Sequence, residues 1–198
     1  MNGWTDEKII ELIRSRLNPD RFEHSLNVAV SAKKLAEKYG CDENKAYTAG
    51  LLHDVMKNAD SLEQLEVMNK AGMKLTDVEF SNKKLWHAMA GAAYIKTQMG
   101  IDDEEIILAV RYHTTGRAEM TLLEKTVYLA DFISAERNYP GVDEMRRLCE
   151  KSMDEAIVFA LRFCIPDLVR KNQVIHPDSI NLYNEKIRAV PYSQNKLI

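Results

Sequence analysis

Apolar side chains recur along almost the whole of this chain at the three-and-four spacing of an α-helix, and no stretch alternates with the two-residue rhythm of a strand. Ile9, Ile10, Leu12, Ile13 and Leu17 share one side of a first predicted helix, capped by Thr5 and running to about Leu17. Asn18 before Pro19 restarts the chain, an N-cap followed by proline at the first helical position, and this second helix extends to Tyr39 and stops at Gly40. Its expected inward set is Phe22, Leu26, Ala29, Val30 and Ala36. Asp42 caps a third helix that leads through Ala49, Gly50, Leu51 and Leu52 into His53-Asp54. Ser61-x-x-Gln64 reads as a capping box opening a short helix that stops near Gly72, and residues 73–83 read as irregular or briefly helical.

A helix over about 84–100 carries His87 among Ala88, Ala90, Gly91, Ala92 and Ala93, small residues that let a neighbouring backbone approach closely. Asp102-x-x-Glu105 and Thr121-x-x-Glu124 are expected to cap the next two helices. The first ends at His113-Thr114-Thr115-Gly116. The second runs through Val127 to Ile133, holds Asp131 inside its apolar stretch, and is closed by Asn138 and Pro140. Ser152-x-x-Glu155 opens a long helix through Phe163 with a kink expected at Pro166, and His176-Pro177 starts the last one. No repeat, low-complexity stretch or linker interrupts the pattern. The expectation is an all-α bundle forming one domain over residues 1–190, with a frayed tail over 191–198.

The charge balance removes several function classes. A formal net charge of -3 argues against a sequence-independent nucleic-acid binder, and the pairs Lys83-Lys84, Arg146-Arg147 and Arg170-Lys171 read as solvated faces. Cys41, Cys149 and Cys164 form no C-x-x-C, which suits reduced thiols in a cytoplasmic protein. The first seven residues lack the basic and apolar regions of a signal peptide, and runs such as Ile106 to Val110 are too short to span a bilayer.

His53-Asp54 follows an apolar, inward-looking helical run, and Asp131 interrupts another. A buried carboxylate is costly unless it is paired or binds a cation. An arginine or a metal would each answer the need at Asp131. Four of the five histidines, His24, His53, His87 and His113, also fall at marked places. Singly, each reads as an ordinary helix histidine; jointly with the two acids they share one plausible partner, a metal such as Fe, Mn or Zn. His24, His53, Asp54 and Asp131 would supply two imidazoles and two carboxylates and leave coordination positions open for water and a phosphate oxygen. His87 and His113 would hold a second ion with Asp54 bridging, or contact phosphate directly. Lys57, three residues after Asp54, points back toward the site on a helical continuation and neutralises phosphate charge there, or is a solvated surface lysine. Asn27, on the face of His24, and Thr114, in the turn after His113, either reach a ligand or serve surface and turn.

In order and context these residues resemble a known family. Arg21-x-x-His24-Ser25, Leu51-Leu52-His53-Asp54-x-x-Lys57, His87, Tyr112-His113-Thr114-Thr115-Gly116 and Leu129-Ala130-Asp131-x-x-Ser134-x-x-Arg137 are similar to the HD superfamily of metal-dependent phosphohydrolases and, within it, to the YqeK family. The resemblance spans roughly residues 5–190 and implies an HD-domain helical bundle. It implies symmetrical hydrolysis of diadenosine tetraphosphate to two ADP by metal-hydroxide attack on phosphorus, with Asp54 and Lys57 in catalytic roles. It implies iron, as one or two ions, with Mn or Zn as substitutes. Arg137 matches the family's nucleotide-contacting arginine. His176 and Ser179 fall in its C-terminal nucleotide-contacting segment, although His176 also reads as an N-cap. The expected partner is a dinucleoside polyphosphate or nucleoside diphosphate, with no nucleic acid and no membrane, and a homodimer is allowed. Two alternatives stay open: a phosphohydrolase of nucleoside monophosphates or deoxynucleotides, and a nucleotide-sensing module without turnover.

Overall fold

A computed structural model describes residues 3–189; the expected tail over 191–198 lies outside the described residues. Among those described, eleven α-helices and no strand are present. The ends follow local chemistry. Thr5 accepts from Lys8 N to start α1 (Asp6–Arg16), Asn18 from Arg21 N to start α2 (Pro19–Tyr39), and Asp42 from Lys45 N to start α3 (Glu43–Leu52). Gly40 ends α2 in the left-handed region at φ 74°, open to glycine without strain.

Two expected caps shift by one residue. Asp60 rather than Ser61 caps α4 (Ser61–Lys70), accepting from Leu62 N and Glu63 N, because its carboxylate serves two orphan donors at once. Gln64, freed from a capping box, donates to Met56 O and Ala59 O at 3.0 Å each and ties α4 to the turn after His53. Asp103 rather than Asp102 caps α7 (Glu104–Tyr112). Residues 73–83 contain a short α5 (Asp77–Ser81) with a complete Thr76/Glu79 capping box. A 3-10 turn at Lys83–Leu85 then leads into α6 (Trp86–Thr97).

The Thr121/Glu124 capping box forms and opens α8 (Leu122–Ile133). The structure then adds a helix that the sequence pattern had passed over, α9 (Val142–Lys151), entered through Gly141 at φ 98°. Its surface is strongly charged, and only Val142, Met145, Leu148 and Cys149 turn inward. Pro166 lies inside α10 (Met153–Arg170), and α11 (Pro177–Ala189) closes the described chain.

The helices α2, α3, α6, α7 and α8 pack on one another as the centre of the bundle, with α1 and α4 on one flank and α9, α10 and α11 on the other. Val28, Ala29, Ala32, Leu35 and Ala36 form the buried stripe of α2. Val30, expected inward, is 46% exposed, since one residue beyond Ala29 turns about 100° away from that stripe. The most extensive helix pair is α2 with α3, and one residue sets its spacing. A Cβ on Gly50 would stand 2.6 Å from Ala29 Cα and 2.9 Å from Ala29 N, both backbone atoms that cannot swing aside. Gly50→Ala is therefore expected to push α3 off α2 and cost about 1–3 kcal/mol or more in a urea unfolding titration.

Candidate metal centre

Six side chains from five helices and their ends meet between α2, α3, α6, α7 and α8. His24 comes from the second turn of α2, His53 is the residue that caps α3, and Asp54 follows it. His87 lies in the first turn of α6, His113 caps the end of α7, and Asp131 stands near the end of α8. The four histidines and Asp54 are all at least 95% buried. Five of the six side chains form two overlapping groups that share His53: His24, His53 and Asp131, and His53, Asp54 and His113, each with potential ligand atoms within 4.8 Å of one another.

Helix ends orient the rings. His53 Nδ1 donates to Gly50 O at 2.7 Å, and His113 Nδ1 donates to Val110 O at 2.7 Å. Both carbonyls lie in a last helical turn, where no further backbone N–H is available to them. A carbonyl only accepts, so each Nδ1 carries the proton and each Nε2 presents a lone pair inward. His24 does the same with another acceptor, its Nδ1 lying 2.5 Å from Glu136 Oε1. The inward atoms are close: His24 Nε2 is 3.3 Å from His53 Nε2 and 3.0 Å from Asp131 Oδ1. His87 Nε2 is 3.3 Å from His113 Nε2 and 3.3 Å from Asp54 Oδ1. Asp54 Oδ1 is buried without a hydrogen-bond partner. Imidazole nitrogens and carboxylate oxygens converging at these distances fit a bound cation, and a mix of imidazole and carboxylate fits a divalent transition metal.

The electrostatics agree. Burial pushes His53 down to about 4 and His87 to about 3, so both are neutral imidazoles at pH 7. Burial would raise Asp54, but His53, His113 and Lys57 outweigh it and hold the carboxyl well below its usual range. Asp131 is lowered likewise, its burial overcome by the bond to His24 and the charge of Arg137. Burial alone would lower His24; its contacts with Asp131 and Glu136 win and raise it.

Two openings flank the cluster. A cavity of about 350 Å³ meets it at Lys57, His87 and Thr114, and is walled farther out by Leu161, Phe163, Leu168 and Val174, with His176 and Ser179. A shallower hollow of about 270 Å³ meets it at Arg21, His24 and Arg137. Lys57 Nζ stands 3.0 Å from His87 Nε2 and 3.7 Å from Asp54 Oδ1, so it does point back into the site. Thr114 Oγ1 lies 3.0 Å from His113 Nε2. Of the two answers foreseen for Asp131 the arginine is present: Arg137 Nη2 donates to its carboxylate and Arg137 Nε to its main-chain oxygen at 2.8 Å, while His24 Nε2 lies against the same carboxylate.

The remaining expected contacts stand farther from the cluster. His176 Nδ1 accepts from Asp178 N at 3.1 Å, a capping contact at the start of α11, and Ser179 Oγ donates to Thr115 O at 2.8 Å; both still line the larger cavity. Asn27 does not line either opening and instead donates to Glu136 Oε2 at 2.8 Å. Sequence reading gave no role to Arg21, whose Nη1 donates to Asp54 Oδ2 at 3.2 Å, or to Glu136. Arg21 was reachable, being three residues before His24 on one helical face. Glu136 was not, because it lies beyond the end of α8, where helical spacing no longer constrains position.

The HD domain family model matches residues 21–136, from Arg21 to Glu136, and so contains the whole cluster. The symmetrical bis(5'-nucleosyl)-tetraphosphatase of Halalkalibacterium halodurans is 37% identical over 178 residues, covering 90% of this chain and 95% of that protein. The enzyme of the same name from Bacillus subtilis is 37% identical over 180 residues, with 90% and 95% covered. The crystal structure of a predicted HD superfamily hydrolase from Clostridium acetobutylicum, described as involved in NAD metabolism, is similar at a TM-score of 0.90 and 35% identity, over 93% of this chain and 98% of that one.

The buried histidines set a pH dependence for the metal-free protein. Below pH 6.5 the unfolded chain takes up protons at His53 and His87, while the folded chain refuses them until about 4 and 3. Stability should therefore fall as pH drops from 6.5 toward 4, with a limiting slope of about 1.4 kcal/mol per pH unit for each of the two. His24, raised, works in the other direction: its contribution is complete below 6.5 and is lost as pH rises through its folded value. Urea midpoints measured against pH in the presence of a chelator check this. A flat profile between pH 6.5 and 4 would contradict neutral, buried His53 and His87.

Proposed function

The chain belongs to the HD-domain family of metal-dependent hydrolases and, within it, to the symmetrical bis(5'-nucleosyl)-tetraphosphatases, and from that premise we propose that it hydrolyses diadenosine tetraphosphate to two ADP. The observation that carries the proposal is the cluster of inward Nε2 atoms around the unpartnered Asp54 oxygen, opening on a cavity that is cationic at its inner end and apolar at its outer one. The reaction adds one water across the central P–O–P bond, so that each half leaves as a nucleoside diphosphate.

His24, His53, Asp54 and Asp131 hold the metal, and His113 and His87 complete a second position around Asp54 or receive a phosphate oxygen. Iron is the ion assigned, with Mn or Zn able to substitute in a site of imidazoles and carboxylates. When bound, the ion supplies Lewis acidity, acidifying water and polarising a phosphoryl oxygen. The protein's own groups do the rest. Lys57 sets a positive charge beside Asp54 for the phosphates, and the Thr114 hydroxyl offers them a hydrogen bond. The forked guanidinium groups of Arg21 and Arg137 face the phosphates from the other opening. Leu161, Phe163, Leu168 and Val174 give a nucleobase an apolar wall, with His176 and Ser179 at the polar edge. The three cysteines, all free thiols, support a reducing compartment such as the cytoplasm.

Incubation of the metal-loaded protein with diadenosine tetraphosphate should yield ADP as the sole nucleotide product by ion-exchange chromatography; AMP together with ATP would refute symmetrical cleavage. His53→Ala and Asp54→Ala should each lose bound metal and reduce turnover by more than the ~100-fold that loss of an outer hydrogen-bond partner costs. A parallel panel of nucleoside monophosphates and deoxynucleotides should show far lower kcat/KM. Tight nucleotide binding with no hydrolysis of any member would instead mark a sensor.

A further inference from the structure

His24 is anchored unlike the other inward histidines. His53 and His113 fold back on a carbonyl of their own helix end, but His24 lies inside α2, where the backbone carbonyls are already engaged in the helix. Its Nδ1 must find an acceptor elsewhere. That acceptor is Glu136 Oε1 at 2.5 Å, 112 residues farther along the chain.

Glu136 does not hang free. The Ser134 hydroxyl donates to Oε1 at 2.6 Å, and the Asn27 amide donates to Oε2 at 2.8 Å. Asn27 and His24 are three residues apart on one face of α2, so the carboxylate spans both from the turn after α8. Two contacts hold Glu136 in place, and the third acts on the histidine ring.

To ligate through Nε2 the ring must be neutral, and a neutral imidazole has two protonation arrangements. With the proton on Nδ1, shared with Glu136, the Nε2 lone pair faces the cluster. With the proton on Nε2, the ring would donate directly to Asp131 Oδ1, only 3.0 Å away. That arrangement would satisfy both partners without any cation and remove two ligand atoms at once. Glu136 opposes it, because a carboxylate beside Nδ1 can only accept.

We propose that Glu136, held by Ser134 and Asn27, is a positioning residue that keeps His24 in its metal-binding tautomer and orientation. The proposal rests on the reading of His24 as a metal ligand, and it assigns Asn27 to the support of that ligand. Glu136 touches neither substrate nor metal in this scheme; it acts through His24.

Binding of Mn²⁺ to the chelator-stripped full chain, followed by the electron paramagnetic resonance of the free ion, tests it without any substrate. Glu136→Ala should weaken Mn²⁺ binding about 10–100-fold, the range for loss of an outer partner of a ligating histidine. Glu136→Gln should recover much of this, since its amide oxygen still accepts from Nδ1. Turnover by Glu136→Ala should rise as Mn²⁺ is increased, with KM for diadenosine tetraphosphate unchanged, which a general loss of structure would not produce. Wild-type Mn²⁺ affinity in Glu136→Ala, alongside loss of binding in His24→Ala, would overturn the positioning role while leaving the ligand assignment intact. Undiminished binding in His24→Ala would overturn the ligand assignment and the positioning role with it. Should Glu136→Ala not fold, Asn27→Ala carries the test: weakened Mn²⁺ binding supports the proposal, and unchanged binding overturns it.

Discussion

A buried carboxylate oxygen surrounded by imidazole lone pairs is unstable by itself, and the centre of this bundle is arranged around that instability. Asp54 Oδ1 has no hydrogen-bond donor, while His87 Nε2 and His113 Nε2 approach it at 3.3 and 3.6 Å. Protonating His53 or His87 would relieve the conflict, but burial pushes them to about 4 and about 3. Lys57 and Arg21 at the edges lessen the negative charge without filling the centre. A cation in the middle satisfies every group together.

The orientation of the inward rings uses features that any helix possesses. The last carbonyls of α3 and α7 lack backbone donors, and a histidine placed just after each helix turns its Nδ1 onto them. One contact therefore caps a helix and aims an imidazole inward. It also couples stability to chemistry, because Gly50 supplies both the carbonyl that holds His53 and the gap that lets α2 and α3 touch. The two openings divide the surroundings of the site between an apolar-walled cavity and a hollow edged by two arginines. Each offers a different kind of contact to a long, polyanionic substrate.

Much of this was legible in the chain because it depends on near neighbours. Helical spacing and capping residues such as Thr5, Asn18, Asp42 and Thr121 act over three or four positions, so they mark helices without knowledge of the fold. Where local signals competed, the reading slipped by one residue, as with Asp60 for Ser61 and Asp103 for Asp102. Where the surface was nearly all charged, as in α9, the thin apolar stripe went unread. The cluster residues stood out because a carboxylate in an apolar run states its own need for a partner.

What the sequence by itself determined was thus the helical class, most of the helix ends, and a set of histidines and aspartates suited to a common cation. The tertiary structure decided the contacts that join distant segments. It brought Glu136 to His24 across 112 residues and turned Asn27 toward that carboxylate rather than toward a ligand. It also put Arg21 on Asp54 and spread the pocket wall over α10 and α11. The reason is physical. A helix is written in interactions a few residues long, whereas the direction of a hydrogen bond between helices depends on packing that no single segment contains.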